Sequence, residues 1–197
     1  VDITCIELTP YRMGGDKLIL VPRTIIPIPE ARDHLISIER KEIKRAEESK
    51  STGQFRALWS AVGEAFNGLE TGFHTTGNSG GDWITVPVGN SYVHYQWTWR
   101  KRLAVIEVAL HFEWPEPDRN ARAAERIRKH EAEIKRGVDL EFAIAPVGGK
   151  GYMEARFRVP FDGNVADAQV AKQAAETMRV LIERTHPMVR EILKSEG

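Results

Sequence analysis

Residues 93–112, "VHYQWTWRKRLAVIEVALHF", decide the fold, because two alternating runs flank a short basic turn. Every second residue of each run is apolar, and this period of two is typical of strands that bury one face. The apolar residues are Val93, Tyr95, Trp97 and Trp99 in the first run and Ala104, Ile106, Val108, Leu110 and Phe112 in the second. The pattern predicts two antiparallel strands joined at Arg100-Lys101-Arg102.

Further strands are predicted on both sides of this hairpin. One run precedes it at residues 84–88, and two follow at 140–144 and 153–159, joined by the glycine-rich turn 146–151, "PVGGKG". Each run alternates apolar and polar residues, and tight turns between consecutive strands favour antiparallel pairing. The sequence therefore predicts one antiparallel sheet of five strands.

Three helices are predicted around these strands. Ser51 and Gln54 have the spacing of a capping box, which predicts a helix that ends near Gly68. Residues 118–136 show helical spacing up to Gly137, and a long helix from about residue 166 should break near Pro187. The order helix, three strands, helix, two strands, helix predicts an α+β fold with the helices on one face of the sheet.

The first fifty residues form a separate region. Apolar runs on both sides of Met13-Gly14-Gly15-Asp16 predict an N-terminal hairpin, and the prolines of 22–31 predict an extended segment. Residues 39–50, "ERKEIKRAEESK", are mostly charged and predict a linker or a solvated helix. We therefore divide the chain into residues 1–38, a charged linker at 39–50, and an α+β domain at 51–197.

Composition excludes several classes of function. The 28 basic and 28 acidic side chains of the 197 residues cancel, so the global charge does not attract the protein to DNA or membranes. Cys5 stands alone, which excludes an internal disulfide, and we expect it to be a small core residue. Since no apolar run is long enough to cross a bilayer, we expect no membrane partner and a cytoplasmic location.

Two parts of the chain resemble known bacterial protein regions. The stretch "VDITCIELTPYR" with "LILVPRTIIPIPEA" resembles the end of a PD-(D/E)XK, restriction endonuclease-like nuclease domain. The segment 55–193, with "FRALW", "DWITVPVG", "RLAVIEVAL" and "AERIRKHEAEIKRGVDLEF", resembles a domain of unknown function that commonly follows such nuclease domains. In that family the catalytic acids and lysine lie upstream of the strand that Val1 begins.

The resemblance implies a non-catalytic accessory region, with no cofactor in this chain and Mg²⁺ only in the nuclease core. A carboxylate followed by Glu-x-Lys is nevertheless present at Asp33 and Glu39-Arg40-Lys41. We do not assign it as a nuclease site, because the motif should lie on a buried strand and this one opens the charged segment. Whether the chain is an enzyme stays open, with a non-catalytic role favoured.

Basic residues suggest one binding surface, for DNA. They lie in the turn of the central hairpin and along the helix predicted at 118–136. The candidates are Arg100, Lys101, Arg102, Arg119, Arg122, Arg126, Lys129 and Arg136. Side chains placed in this way can contact phosphates, although the acidic residues of the same helix interrupt the stripe. We therefore expect the chain to be a DNA-binding or assembly module, with DNA as its partner, or a homodimerisation domain, with a second copy of the chain as its partner.

The polar face of the predicted sheet is the alternative site. It carries an unusual density of groups that titrate, donate or coordinate: His94, Gln96, Glu107, His111, Glu141, Glu154, Arg156 and Arg158. Histidines with carboxylates can bind a metal and the two arginines an anion, which would make the chain a ligand sensor or an enzyme. Ion pairing on a solvated sheet face explains the same residues without a ligand.

Overall fold

The computed structural model describes residues 5–14, 17–24, 29–76 and 81–196. The chain divides into two compact units, Val1–Ser51 and Thr52–Gly197. The division falls inside one long helix, so each unit is described by itself.

The first unit contains the predicted N-terminal hairpin. Strands β1 (Ile6–Met13) and β2 (Lys17–Thr24) pair antiparallel, with Thr9 opposite Val21. Gly14 begins the turn with a φ of 31°, a left-handed conformation that favours glycine. The expectation that Cys5 belongs to a core is wrong, because its side chain is exposed. Residues 15–16 of the predicted turn and residues 25–28 of the predicted extended segment lie outside the described residues.

Helix α1 (Pro29–Asn67) contradicts two predictions for the residues that follow the hairpin. The predicted extended segment 22–31 is wrong at its C-terminal end, since the helix starts at Pro29, a residue favoured in the first helical turn. The capping box at Ser51 is also wrong, because that residue lies inside the helix. No glycine or proline occurs between Glu30 and Thr52, and the charged residues of 39–50 are good helix formers, so the helix continues through this segment.

The five predicted strands form one antiparallel sheet. They are β3 (Trp83–Pro87), β4 (Val93–Arg100), β5 (Val105–Phe112), β6 (Glu141–Val147) and β7 (Tyr152–Pro160). Their spatial order is β3-β4-β5-β7-β6, so β5 is the central strand. A short 3₁₀ helix, Lys101–Leu103, joins β4 to β5. The prediction of an α+β fold with a five-stranded antiparallel sheet is confirmed.

Alternation divides the sheet into an apolar face and a polar face. The apolar residues of β4, β5 and β7 are buried on the side of the helices: Val93, Tyr95, Trp97, Trp99, Ile106, Val108, Leu110, Phe112, Ala155, Phe157 and Val159. Ala104 is the exception to the predicted pattern, because it is exposed and closes the 3₁₀ turn in a left-handed conformation with a φ of 52°. The alternation of 93–112 therefore identified the buried face correctly from Val93 to Trp99 and from Ile106 to Phe112.

The remaining helices are α2 (Pro117–Arg128), α3 (Glu131–Lys135) and α4 (Ala168–Glu196). The helix predicted at 118–136 is thus interrupted by a turn at 129–130, and Gly137 follows it with a φ of 70°. The predicted break near Pro187 is wrong, because α4 continues through it. Val189 and Ile192 lie beyond the proline and are buried, and this burial outweighs the backbone hydrogen bond that proline cannot make.

Trp97 joins the sheet to two helices. Its ring meets the Phe66 ring of α1 edge-on, with centroids 5.2 Å apart, and its indole N–H donates to the carbonyl of Ala174 in α4 at 3.0 Å. The Tyr95 hydroxyl lies 2.9 Å from that of Thr185 in α4. Every polar atom of these two aromatic side chains therefore has a partner inside the core.

Among the described residues, no helix combines the length and the apolar character that a membrane span requires.

A fragment of residues 52–197 should fold without the first unit, because the core residues from Leu58 to Ile192 all belong to it. Urea denaturation followed by circular dichroism should show one cooperative transition, with a free energy of unfolding of about 5–15 kcal/mol. Phe66→Ala in the same fragment should lower that free energy by about 3–5 kcal/mol. An insoluble fragment, or one without a cooperative transition, would place the first unit in the folding core.

Candidate ligand site on the polar face of the sheet

Strand register places the polar candidates in rows across the sheet. In the first row His94 of β4 lies opposite His111 of β5, which lies opposite Glu154 of β7. In the second row Glu107 of β5 lies opposite Arg158 of β7, and Arg158 lies opposite Glu141 of β6. Antiparallel pairing thus brings together residues that lie up to about sixty positions apart in the sequence.

Glu107 is the centre of an arginine network at one end of this face. Its side chain is buried, and its two oxygens lie 2.6 Å from Arg100 Nε and 3.2 Å from Arg158 Nε. Arg156 Nε lies 3.3 Å from the same carboxylate, and Arg158 also bonds Glu141 at 2.7 Å. Burial disfavours the charged form of Glu107, but the three guanidinium groups outweigh burial and hold its pKa below the ordinary value.

His111 is the centre of the other end. The rings of His94 and His111 stack with centroids 5.2 Å apart. His111 Nδ1 lies 3.3 Å from Glu113 Oε1, and Nε2 lies 3.6 Å from Glu154 Oε2. The other oxygen of Glu154 accepts a hydrogen bond from Arg156. His111 therefore lies between two carboxylates, one at each ring nitrogen.

Burial and local charge shift two pKa values here. Burial lowers the pKa of His94, and the neighbouring His111 lowers it further, so His94 is neutral at pH 7. The contact with the imidazole of His111 holds the pKa of Glu113 below its ordinary value, so this carboxylate is ionised. The histidine end thus offers neutral imidazole together with carboxylate.

Three buried polar atoms in this region make no hydrogen bond among the described residues: His111 Nδ1, Glu154 Oε2 and Arg156 Nε. Buried polar groups are normally satisfied, because an unmet donor or acceptor costs about 1–3 kcal/mol. Each of these atoms has only an ion-pair contact, at 3.3–3.6 Å, so this face leaves hydrogen-bonding capacity that a ligand could use.

A depression of about 520 Å³ opens beside the histidines. It is lined by Trp83, Thr85, Pro87, Asn90, Ser91, His94, Gln96 and Glu113. Gln96 Oε1 accepts from His94 Nε2 at 3.3 Å, and the amide Nε2 of Gln96 donates to the Thr98 hydroxyl at 2.7 Å. A small molecule in the depression would thus contact both the His94 ring and the Glu113 carboxylate.

The basic residues predicted to contact DNA do not form one continuous surface. Arg100 turns to the polar face and pairs with Glu107, Lys101 lies 4.6 Å from the centre of the Phe55 ring, and Arg119 lies over Trp114. The exposed members are Lys101, Arg102, Arg122, Arg126, Lys129 and Arg136. The larger exposed group lies on α2 and on its C-terminal side, and this group is the candidate surface for a phosphate backbone.

The alternative nuclease motif lacks the strand that its chemistry requires. Asp33 and residues 39–41 all lie on helix α1. Exposed tryptophans can stack on nucleic-acid bases, but Trp97 and Trp99 are buried, as the alternation predicted. Neither feature supplies a nucleic-acid site.

Glu113 and Arg100 were missed as members of the polar site. Glu113 lies two residues after His111 and so extends the alternation of β5 by one position, which was the available sequence signal. Arg100 was assigned to the turn and to DNA, but it is the last residue of β4 and belongs to the polar face. Its contact with Glu107 depends on the pairing of β4 with β5.

No family model, no curated protein and no solved structure matches this chain. The resemblance to a nuclease-like bacterial protein therefore stays a prediction.

Glu107→Gln should lower the free energy of unfolding at pH 7 by about 2–4 kcal/mol, because three arginines lose their shared carboxylate. The cost is not larger because the three guanidinium groups are partly exposed and water still solvates them. Glu191→Gln, which removes an exposed ion pair with Lys194, is the matched control and should cost at most about 1 kcal/mol. Urea denaturation measures both.

The pH dependence follows from the lowered pKa of Glu107. Its contribution is complete above about pH 4.5, the ordinary value, and is lost as the pH falls through the lower value of the folded protein. The stability difference between wild type and Glu107→Gln should therefore shrink in acid. A difference that is independent of pH, or no larger than that of Glu191→Gln, would contradict the central role of this carboxylate.

Proposed function

We propose that residues 52–197 form a binding module for a small positively charged ligand, either a metal ion or an organic cation, on the polar face of the sheet. The observation that carries this proposal is the buried His111 between Glu113 and Glu154, where His111 Nδ1 and Glu154 Oε2 make no hydrogen bond among the described residues. A buried cluster of this kind is costly for folding alone, so binding explains it better than surface ion pairing.

The charge of the face supports a cation. Its carboxylates are Glu107, Glu113, Glu141 and Glu154, and its guanidinium groups are Arg100, Arg156 and Arg158. The face therefore has one more carboxylate than guanidinium. Arg100 and Arg158 pair with Glu107, and Arg156 connects Glu107 to Glu154, whereas Glu113 contacts the imidazole of His111. A positive ligand at the histidine end would meet uncompensated carboxylate.

Nuclear magnetic resonance of the full chain tests this proposal. Mg²⁺, Ca²⁺, Zn²⁺, putrescine and arginine are titrated separately, with inorganic phosphate as the anionic comparison. At least one cation should shift the backbone amide resonances around His94 and His111 saturably, whereas phosphate should not.

His111→Gln should abolish the response, because it removes the ring that joins the two carboxylates. His130→Gln is the matched control, since His130 is exposed and lies 3.6 Å from a carboxylate, that of Glu133. Retention of the shifts in His111→Gln, or no saturable shift with any of the cations, would overturn the proposal.

DNA binding by an accessory region of a nuclease-like protein is the second candidate. The observation that favours it is the exposure of Arg122, Arg126 and Lys129 on α2 and the turn after it, with Arg136 nearby. Because the net charge is zero, affinity for DNA would depend on this local set and not on the whole protein. A cytoplasmic location fits both candidates and stays a prediction.

Fluorescence anisotropy with labelled duplex DNA tests the second candidate. Three to five phosphate contacts should give a slope of log affinity against log salt of about −3 to −5. The triple variant Arg122→Glu, Arg126→Glu, Lys129→Glu should lose binding. Its matched control is Lys172→Glu, Arg190→Glu, Lys194→Glu, which changes the charge equally on exposed positions of α4. Equal loss in both variants, or no binding at low salt, would contradict a site on α2, and a dimeric solution mass would then favour the homodimerisation role.

A further inference from the structure

We infer that His94, His111 and Glu113 form a site for a divalent transition-metal ion of the zinc class, with Glu154 positioning His111. This inference rests on the proposed function and specifies its ligand. One ligand atom from each of the three residues lies within 4.8 Å of the others. Two imidazoles and one carboxylate are the ligand set of several zinc and iron sites that keep a coordination position open.

The distance between His111 Nδ1 and Glu113 Oε1 equals the spacing expected for two ligands of one zinc ion. A zinc ion holds nitrogen and oxygen ligands at about 2.0–2.2 Å, so two such ligands at a tetrahedral angle lie about 3.3 Å apart. His111 Nδ1 and Glu113 Oε1 are 3.3 Å apart but are not aligned as a hydrogen bond, and Nδ1 has no other hydrogen-bond partner among the described residues. The side chain of His111 is only 4% exposed, so water does not readily satisfy this nitrogen. A cation bound by both atoms would satisfy them.

His94 is placed as the third ligand by the sheet itself. It lies directly opposite His111 across the β4–β5 pair, and the two rings are almost parallel, with planes 3° apart. His94 is half-buried at the edge of the depression that Glu113 also lines. In the proposed site the His94 side chain turns toward Glu113, and the depression leaves room for water or a small ligand on the metal.

Glu154 has the position of an outer partner. His111 Nε2 faces Glu154 Oε2 at 3.6 Å, while Nδ1 faces Glu113. A histidine that binds a metal through one nitrogen commonly donates its other N–H to a carboxylate, which fixes the tautomer and the ring orientation. Arg156 holds the remaining oxygen of Glu154. When His111 binds a metal through Nδ1, its proton is on Nε2, and this N–H can donate to the buried Oε2 of Glu154.

The ligand types select the metal. Mg²⁺ and Ca²⁺ take oxygen ligands almost entirely, whereas imidazole nitrogen suits Zn²⁺, Co²⁺, Ni²⁺ and Fe²⁺. A site with two nitrogens and one carboxylate oxygen should therefore discriminate strongly against Mg²⁺ and Ca²⁺.

Titration of the full chain with Zn²⁺ by calorimetry, and with Co²⁺ by visible absorption, tests the inference. We expect one ion per chain, Co²⁺ bands in the visible region, and no displacement by excess Mg²⁺. His94→Gln, His111→Gln and Glu113→Gln should each weaken Zn²⁺ binding at least about tenfold, and Glu154→Gln by about 10–100-fold. Glu154→Gln should keep the stoichiometry at one, because it removes no ligand.

His130→Gln is again the matched control and should leave affinity and stoichiometry unchanged. His111 is buried, so circular dichroism first shows whether His111→Gln is folded, and if it is not, the half-buried His94 and Glu113 carry the test. Zn²⁺ binding that survives His94→Gln and Glu113→Gln, or that His130→Gln abolishes, overturns the metal site. If an organic cation shifts the resonances around His94 and His111 while Zn²⁺ and Co²⁺ do not bind, the metal inference fails alone. If no cation binds, the proposed function fails with it.

Discussion

The antiparallel register of β4, β5 and β7 is the constraint on which both faces of the sheet depend. Because side chains alternate, a slip of one residue would exchange the faces and place Glu107 and His111 among the helices. The registered pairing His94 with His111 and His111 with Glu154 is thus fixed by the burial of Trp97, Val108 and Phe157 on the other side. The packing of the apolar core therefore fixes the positions of the residues in the polar site.

The helices stabilise that register through specific contacts as well as burial. Trp97 is held by an aromatic ring of α1 and a backbone carbonyl of α4, which leaves it one position in the core. Beside the start of β7, Asn120 in α2 bonds the backbone of Trp114 and the carbonyl of Gly151, the residue before β7. A side chain at Gly151 would lie 2.7 Å from Pro117, so this close approach requires glycine.

The two ends of the polar face differ in how completely their charges are compensated. Glu107 has three guanidinium partners, and this end is a closed electrostatic network that contributes to folding. His111 has a carboxylate beside each ring nitrogen, but its Nδ1 and Glu154 Oε2 make no hydrogen bond among the described residues, so this end is bonded less completely. A ligand that supplies the missing bonds at this end is the physical basis of both the proposed function and the metal site. The exposed arginines of α2 need no such ligand, because water solvates them.

The sequence by itself determined the two-residue periods, the glycine turns and hence the number of strands, because these depend on neighbouring residues. It also contained the polar candidates His94, His111, Glu107 and Glu154. The tertiary structure alone decided that Arg100 joins Glu107 and that Glu113 joins His111, since these contacts depend on strand pairing and side-chain direction. It also decided that α4 continues through Pro187, because burial of residues beyond the proline outweighs a local preference. Local patterns are readable from spacing, whereas the partners of a side chain are set by the packing of distant segments.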